Sequence, residues 1–273
     1  MDPRVLPSAV PRMTSVRVMF NEYEMSIPAL FLPGQLTDER LWTPMLAALP
    51  EGLIAPHFVE LTRGDTIAAL ARHALSGPPE KFVLVGLSLG GYVAFEMLRQ
   101  SPHRVAALVL FNTSARSDDE EKLEERERLK KAVTVGQFTG VTNRLMPTIV
   151  HPRQLGNRMV TDIVMQMASH IGQEGFLRQQ HAIMSRSDSR DLLPHIQVPT
   201  LIVGGDSDQR TPPELQHEIA AQISGAEFHL LRNVGHLAPL EEPVLCADLV
   251  MNFLQKNLIT PHAVTPAHSG HRQ

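Results

Sequence analysis

Two hydrophobic rhythms alternate along this chain. Runs that are apolar at nearly every position occur at residues 29–32, 83–87, 105–112 and 198–205, and shorter strand-like runs at 15–20, 57–61 and 227–231. Between them lie stretches with helical spacing, at 37–49, 66–75, 92–99, 213–223 and 243–254. A strand that is apolar on both faces has to be covered on both faces. The pattern therefore predicts an α/β fold with a mostly parallel central sheet and helices on both sides.

The alternation stops between Thr113 and Pro194, where helical patterns follow one another without a convincing strand. The expected organisation is a core made of residues 15–112 and 195–256, interrupted by an all-helical insertion at 113–194. Residues 1–14, broken by Pro3, Pro7 and Pro11, read as a flexible leader without the continuous apolar stretch of a signal peptide. Residues 257–273 have no period and read as a mobile tail. The insertion opens with a charge run at 117–131 that reads as a solvated helix, acidic first and basic last. Ser117 and Glu120 stand at capping-box spacing, and Glu124/Arg128 and Glu127/Lys131 at i,i+4.

Composition narrows the range of partners. A net charge of −4 over 273 residues, with no basic stripe interleaved with aromatics, argues against nucleic acid and anionic membrane and favours a small-molecule ligand. The single cysteine, Cys246, permits neither an intrachain disulfide nor a cysteine-based metal site, which suits a reducing compartment. No stretch is long enough to span a bilayer, so the expected location is the cytoplasm.

The candidate chemistry starts at Gly86-Leu87-Ser88-Leu89-Gly90. An apolar strand runs into this Gly-x-Ser-x-Gly and an amphipathic helix leaves it, the context of a nucleophile elbow, in which a sharp turn lifts a serine above the sheet. The glycines answer a steric need, since side chains there would meet the neighbouring strand and the turning backbone. The first N–H groups of the following helix have no partner within it and favour an anion, so the amide of Leu89 is a candidate oxyanion donor. A second donor is expected on the loop after residues 29–32. Pro33 has no N–H and Gly34 allows close approach, leaving Gln35 or Leu36.

A serine hydroxyl needs a base within reach, and the base needs an orienting acid. The loop after residues 198–205 offers two carboxylates, Asp206 and Asp208, either of which could serve. The loop after residues 227–231 carries Gly235-His236, with the histidine placed to swing over the sheet edge. Serine, acid and histidine then follow in the chain order this architecture requires. The other histidines lie in strands, beside helices or in the tail. Met146, Phe138, Phe176 and Met184, apolar residues at helical spacing, read either as plain core or as candidates to line the inner surface of the insertion.

Taken together, Leu32-Pro33-Gly34-Gln35, the Gly86 to Gly91 motif, Val198-Pro199-Thr200-Leu201 leading to Asp208, and Gly235-His236 followed by Glu241-Glu242-Pro243 resemble the α/β-hydrolase superfamily over nearly the whole chain. The resemblance implies Asp208 as the orienter, because Gly205-x-x-Asp208 with Thr211-Pro212-Pro213 has the family spacing. It also implies that the insertion caps the active site. Pro33-Gly34 departs from the His-Gly of many members, which should not remove a hole built from backbone. The implied activity is a serine hydrolase of the carboxylesterase type, with Ser88 as nucleophile, His236 as base and no metal or organic cofactor. The alternatives are carbon–carbon hydrolysis or lyase chemistry on the same triad, or a catalytically slow ligand-binding module.

Overall fold

The computed structural model describes residues 26–77, 79–136 and 138–259. The leader, the strand expected at 15–20 and the tail from 260 onward lie outside the described residues.

Among the described residues six strands form one sheet: β1 (Ile27–Leu32), β2 (Ile54–Phe58), β3 (Phe82–Leu87), β4 (Val105–Phe111), β5 (Thr200–Gly205) and β6 (Glu227–Leu231). Every pairing is parallel and the order is β2-β1-β3-β4-β5-β6. The chain winds outward from β1 to β2, then returns past β1 to β3 and proceeds the other way. The carboxyl ends of β1 and β3 therefore flank the switch point at which an open α/β sheet leaves a crevice.

The helices are α1 (Thr43–Ala48), α2 (Ile67–Leu75), α3 (Leu89–Gln100), α4 (Glu120–Val135), α5 (Arg158–Met184), α6 (Pro213–Gln222), α7 (Ala238–Glu241) and α8 (Pro243–Asn257). Alternate strand residues serve two separate cores. Phe31, Val85, Val109 and Val203 pack with α1 and α8 on one face. Leu30, Leu84, Leu108 and Ile202 pack with α2, α3 and α6 on the other. Each such side chain removed from water contributes about 1.5–3 kcal/mol, which is why the inner strands β3 and β4 carry no polar residue on either face.

Local differences from the expected elements have visible causes. The second strand lies three residues earlier than the apolar run at 57–61. It is an edge strand, with Ala55 half-buried and Phe58 exposed, and so accommodates Pro56. Residues 37–49 split into a 3-10 turn at Glu39–Leu41, capped by Asp38 accepting from the Arg40 N–H at 3.1 Å, and then α1.

Residues 113–194 hold no strand among those described, as the periodicity predicts. The capping box at Ser117 does not form. Asp119 caps α4 instead, its Oδ1 accepting from the Lys122 N–H at 2.9 Å. Asp118 turns inward, its side chain 1 % exposed, between Arg126 and Arg186. Glu124 pairs with Arg128 at 3.5 Å as expected, but Glu127 takes Lys130 at 3.0 Å rather than Lys131. No α4 residue is buried, in keeping with a solvated helix. α5 bends at Gly172, where φ is 66°. Among the described residues, no helix is long and apolar enough to cross a membrane.

Candidate active site

β3 delivers the chain to Ser88 with φ 54° and ψ −113°, a conformation that costs a residue other than glycine about 1–3 kcal/mol. Its surroundings hold it there. The Ser88 N–H donates to Phe111 O at 3.2 Å, and the Ser88 carbonyl accepts from Thr113 Oγ1 at 2.8 Å. The flanking glycines are sterically required. A Cβ on Gly86 would stand 2.7 Å from Gly90 O, and one on Gly90 only 1.9 Å from Leu32 O. A Cβ on Gly34 would stand 3.5 Å from Ser88 Cβ, which places the loop after β1 directly against the serine.

β5 and β6 end at the same sheet edge and carry the acid and the imidazole. His236 Nδ1 lies 2.9 Å and 3.0 Å from the two oxygens of Asp208. An ionised carboxylate only accepts, so Nδ1 carries the proton and Nε2 is left as the basic nitrogen. Asp208 is 3 % exposed and fully hydrogen-bonded. Its Oδ1 accepts from the N–H groups of Arg210 and Thr211 at 2.8 Å and 3.0 Å; its Oδ2 accepts from Thr211 Oγ1 at 2.7 Å and Asn112 Nδ2 at 2.9 Å. Burial alone would raise its pKa. The positive charge of His236 and these hydrogen bonds outweigh burial and bring it to about 2.

The histidine loop is pinned from two directions. Glu241, 4 % exposed, accepts from the N–H groups of Gly235 and His151 through Oε2, at 3.1 Å and 2.8 Å, and from the Leu237 N–H through Oε1 at 3.1 Å. The His236 N–H donates to Ile149 O at 2.8 Å. A Cβ on Gly235 would stand 2.6 Å from the His151 backbone nitrogen, so only glycine lets residues 149–151 approach. Burial pushes the Glu241 pKa above the usual carboxylate range despite its three donors.

The loop after β1 is also tied to the insertion. Leu36, at φ 57°, donates its N–H to the side-chain oxygen of Gln179 on α5 at 3.0 Å. Gln179 is completely buried, and its Nε2 has no partner among the described residues. With the Leu36 amide occupied, Gln35 is the remaining candidate for the second oxyanion donor. Leu89 opens α3, so its N–H has no partner inside that helix.

Asp206 does not approach the imidazole; it is exposed and accepts from Ser207 Oγ at 2.8 Å. The Ser88 hydroxyl makes no hydrogen bond among the described residues, His236 included; such contacts often tighten only when substrate is bound. The two are linked through β4, because Phe111 O receives the Ser88 N–H while the next residue, Asn112, donates to both Asp208 and Gly235 O. Phe138 and Phe176 stack with ring centroids 5.6 Å apart, whereas Met146 packs into the sheet core. Asn112 and Gln179 carry no signal in the sequence; Thr211 and Glu241 stand in the Thr-Pro-Pro and Glu-Glu-Pro motifs, which do not show that their side chains hold Asp208 and the histidine loop.

A protein-family model described as the alpha/beta hydrolase family matches residues 29–249. A pimeloyl-[acyl-carrier protein] methyl ester esterase of Aromatoleum aromaticum is 25 % identical over 83 % of this chain and 97 % of its own length. A putative carbamate hydrolase of Yersinia enterocolitica is 25 % identical over 79 % and 82 %. Among solved structures, a thermophilic esterase from Thermogutta terrifontis superposes with a TM-score of 0.71 at 28 % identity, over 85 % of this chain and 90 % of that one. With an all-parallel sheet, helices on both faces and a family match across most of its length, the chain belongs to the alpha/beta hydrolase family.

Proposed function

We propose that the protein is a serine hydrolase that cleaves an ester-type bond of a small molecule through an acyl-enzyme, the chemistry of a carboxylesterase. The observation that carries this reading is the contact of His236 Nδ1 with a buried, fully hydrogen-bonded Asp208, at the sheet edge where Ser88 is held in its strained turn. Ser88 Oγ attacks the carbonyl carbon as His236 Nε2 takes its proton. Asp208 fixes the ring and stabilises the imidazolium. The N–H groups of Leu89 and Gln35 receive the negative charge that forms on the carbonyl oxygen. His236 then gives its proton to the leaving alkoxide; in the second half it takes one from the water that attacks the acyl carbon and returns it to Ser88 Oγ as the acyl–oxygen bond breaks and the acid leaves. The 113–194 insertion serves as the cap, a role supported by its contacts with the histidine loop and the loop after β1. The relatives' activities on a methyl ester and a carbamate are consistent with an acyl-type carbonyl substrate.

The test is covalent labelling by a fluorophosphonate, together with hydrolysis of short- and medium-chain nitrophenyl esters, by the wild type and Ser88→Ala. Labelling at Ser88 with ester turnover, both lost in the variant, is expected. Labelling without turnover favours carbon–carbon hydrolysis or lyase chemistry on the same triad, and absence of labelling overturns the nucleophile.

A further inference from the structure

Beside the triad, between α4, the end of α5 and the start of α6, lies a cleft of about 290 Å³. Its walls bear six basic side chains against three carboxylates, in a chain whose net charge is −4. Most of these charges are satisfied. Arg190 pairs with Asp188 at 2.6 Å, Arg116 with Glu218 at 2.8 Å, and Lys122 reaches Asp119 at 4.0 Å. Three share less. Arg126 and Arg186 divide the single carboxylate of Asp118, at 2.6 Å each, and the Arg210 guanidinium has neither a hydrogen bond nor an ion pair among the described residues. Five of the six basic side chains thus share four carboxylates in ion pairs, and Arg210 is balanced by Glu125 and Asp208, which act on it from beyond ion-pair distance.

Arg210 is open to solvent through the mouth of the cleft but enclosed by protein elsewhere. Enclosure, and then the charge of Arg126, pull its pKa below the usual guanidinium value against the opposing charges of Glu125 and Asp208, so an anion here would offset the push from Arg126. The backbone around it is fixed by the triad itself, since the N–H groups of Arg210 and Thr211 both end on Asp208. Tyr92, four residues after the nucleophile, and Ser114, two after Asn112, form the facing wall. A planar guanidinium fork beside a shared Arg-Asp-Arg group matches an oxyanion presented by carboxylate or phosphate.

We propose that this cleft binds an anionic group, carboxylate or phosphate, carried by the substrate, so that the protein prefers esters with a negative charge remote from the scissile bond. The reaction part of this statement rests on the serine-hydrolase reading above; the binding part does not.

Two measurements separate them. In the first, kcat/KM is compared for the 4-nitrophenyl half-ester of adipic acid and for the uncharged 4-nitrophenyl hexanoate. The wild type is expected to favour the charged ester at least tenfold, and rising ionic strength to erode the preference. Arg210→Gln is expected to lower this ratio at least tenfold, mainly through KM, and Arg210→Lys to lower it less. Lys131→Gln, the same charge change on α4 outside the cleft, leaves the ratio where it was. In the second, adipate and inorganic phosphate are titrated separately into Ser88→Ala protein by calorimetry, with and without Arg210→Gln. Binding of either anion that is lost with Arg210 supports the site even if no ester is hydrolysed, and identifies which oxyanion it takes. Absence of both the ratio change and Arg210-dependent anion binding overturns the proposal.

Discussion

Asn112 Nδ2 donates to Asp208 Oδ2 at 2.9 Å from the end of the neighbouring strand, and the same amide reaches Gly235 O at 3.2 Å. One side chain thus fixes the acid and the loop that carries the imidazole. Asn112 is fully buried and sits at φ 42°, a conformation asparagine tolerates better than most residues. Asn112→Asp keeps the shape, replaces the donor by an acceptor and sets two carboxylates side by side. The expected result is a fall in kcat/KM of about a hundredfold and a loss of about 1–3 kcal/mol in stability. Ester kinetics with a urea melt would check both, and unchanged kinetics would remove Asn112 from the site.

Asp208 also ties stability to pH. Its folded pKa, about 2, lies below the ordinary 3.8, so the unfolded chain binds the proton more readily. The resulting stabilisation is complete above about pH 4 and is lost as pH falls from there towards 2. A shift of this size corresponds to about 2 kcal/mol. Urea midpoints measured through that window should decline more steeply for the wild type than for Asp208→Asn. Parallel curves would contradict the hydrogen-bonded, charge-paired carboxylate described above.

Gln179 offers a test of the loop after β1. Gln179→Leu leaves the half-buried Leu36 N–H without its acceptor, a loss of about 1–3 kcal/mol, and frees the loop that carries Gln35. A roughly tenfold drop in kcat with little change in KM is expected, because the loop serves the transition state more than substrate capture. Gln179→Glu keeps an acceptor and should lose less. Equal effects of the two variants would mean that Gln179 only fills space.

The triad candidates were legible because each carries a local mark. Ser88 stands between two glycines at a strand-to-helix switch, His236 follows a glycine after a short strand, and Asp208 precedes Thr-Pro-Pro. Two of the supports, Asn112 and Gln179, carry no such mark. Asn112 meets its acid across 96 residues, and Gln179 meets Leu36 across 143, so neither contact leaves a spacing to read. The Ser117 capping box failed for a similar reason: Asp118 found two arginines, one of them 68 residues away in Arg186, and drew the chain inward before α4 began.

The three-way clasp at Glu241 bears on how a molecule could enter. One carboxylate grips the backbone on both sides of His236 and also the backbone of His151, and the His236 amide itself is lodged on Ile149. That stretch of the insertion and the imidazole loop are therefore soldered into one piece. A motion that swung residues 149–151 aside would disturb the loop that holds His236 against Asp208, so a ligand reaching Ser88 past the insertion has to enter where the insertion is not fastened to that loop.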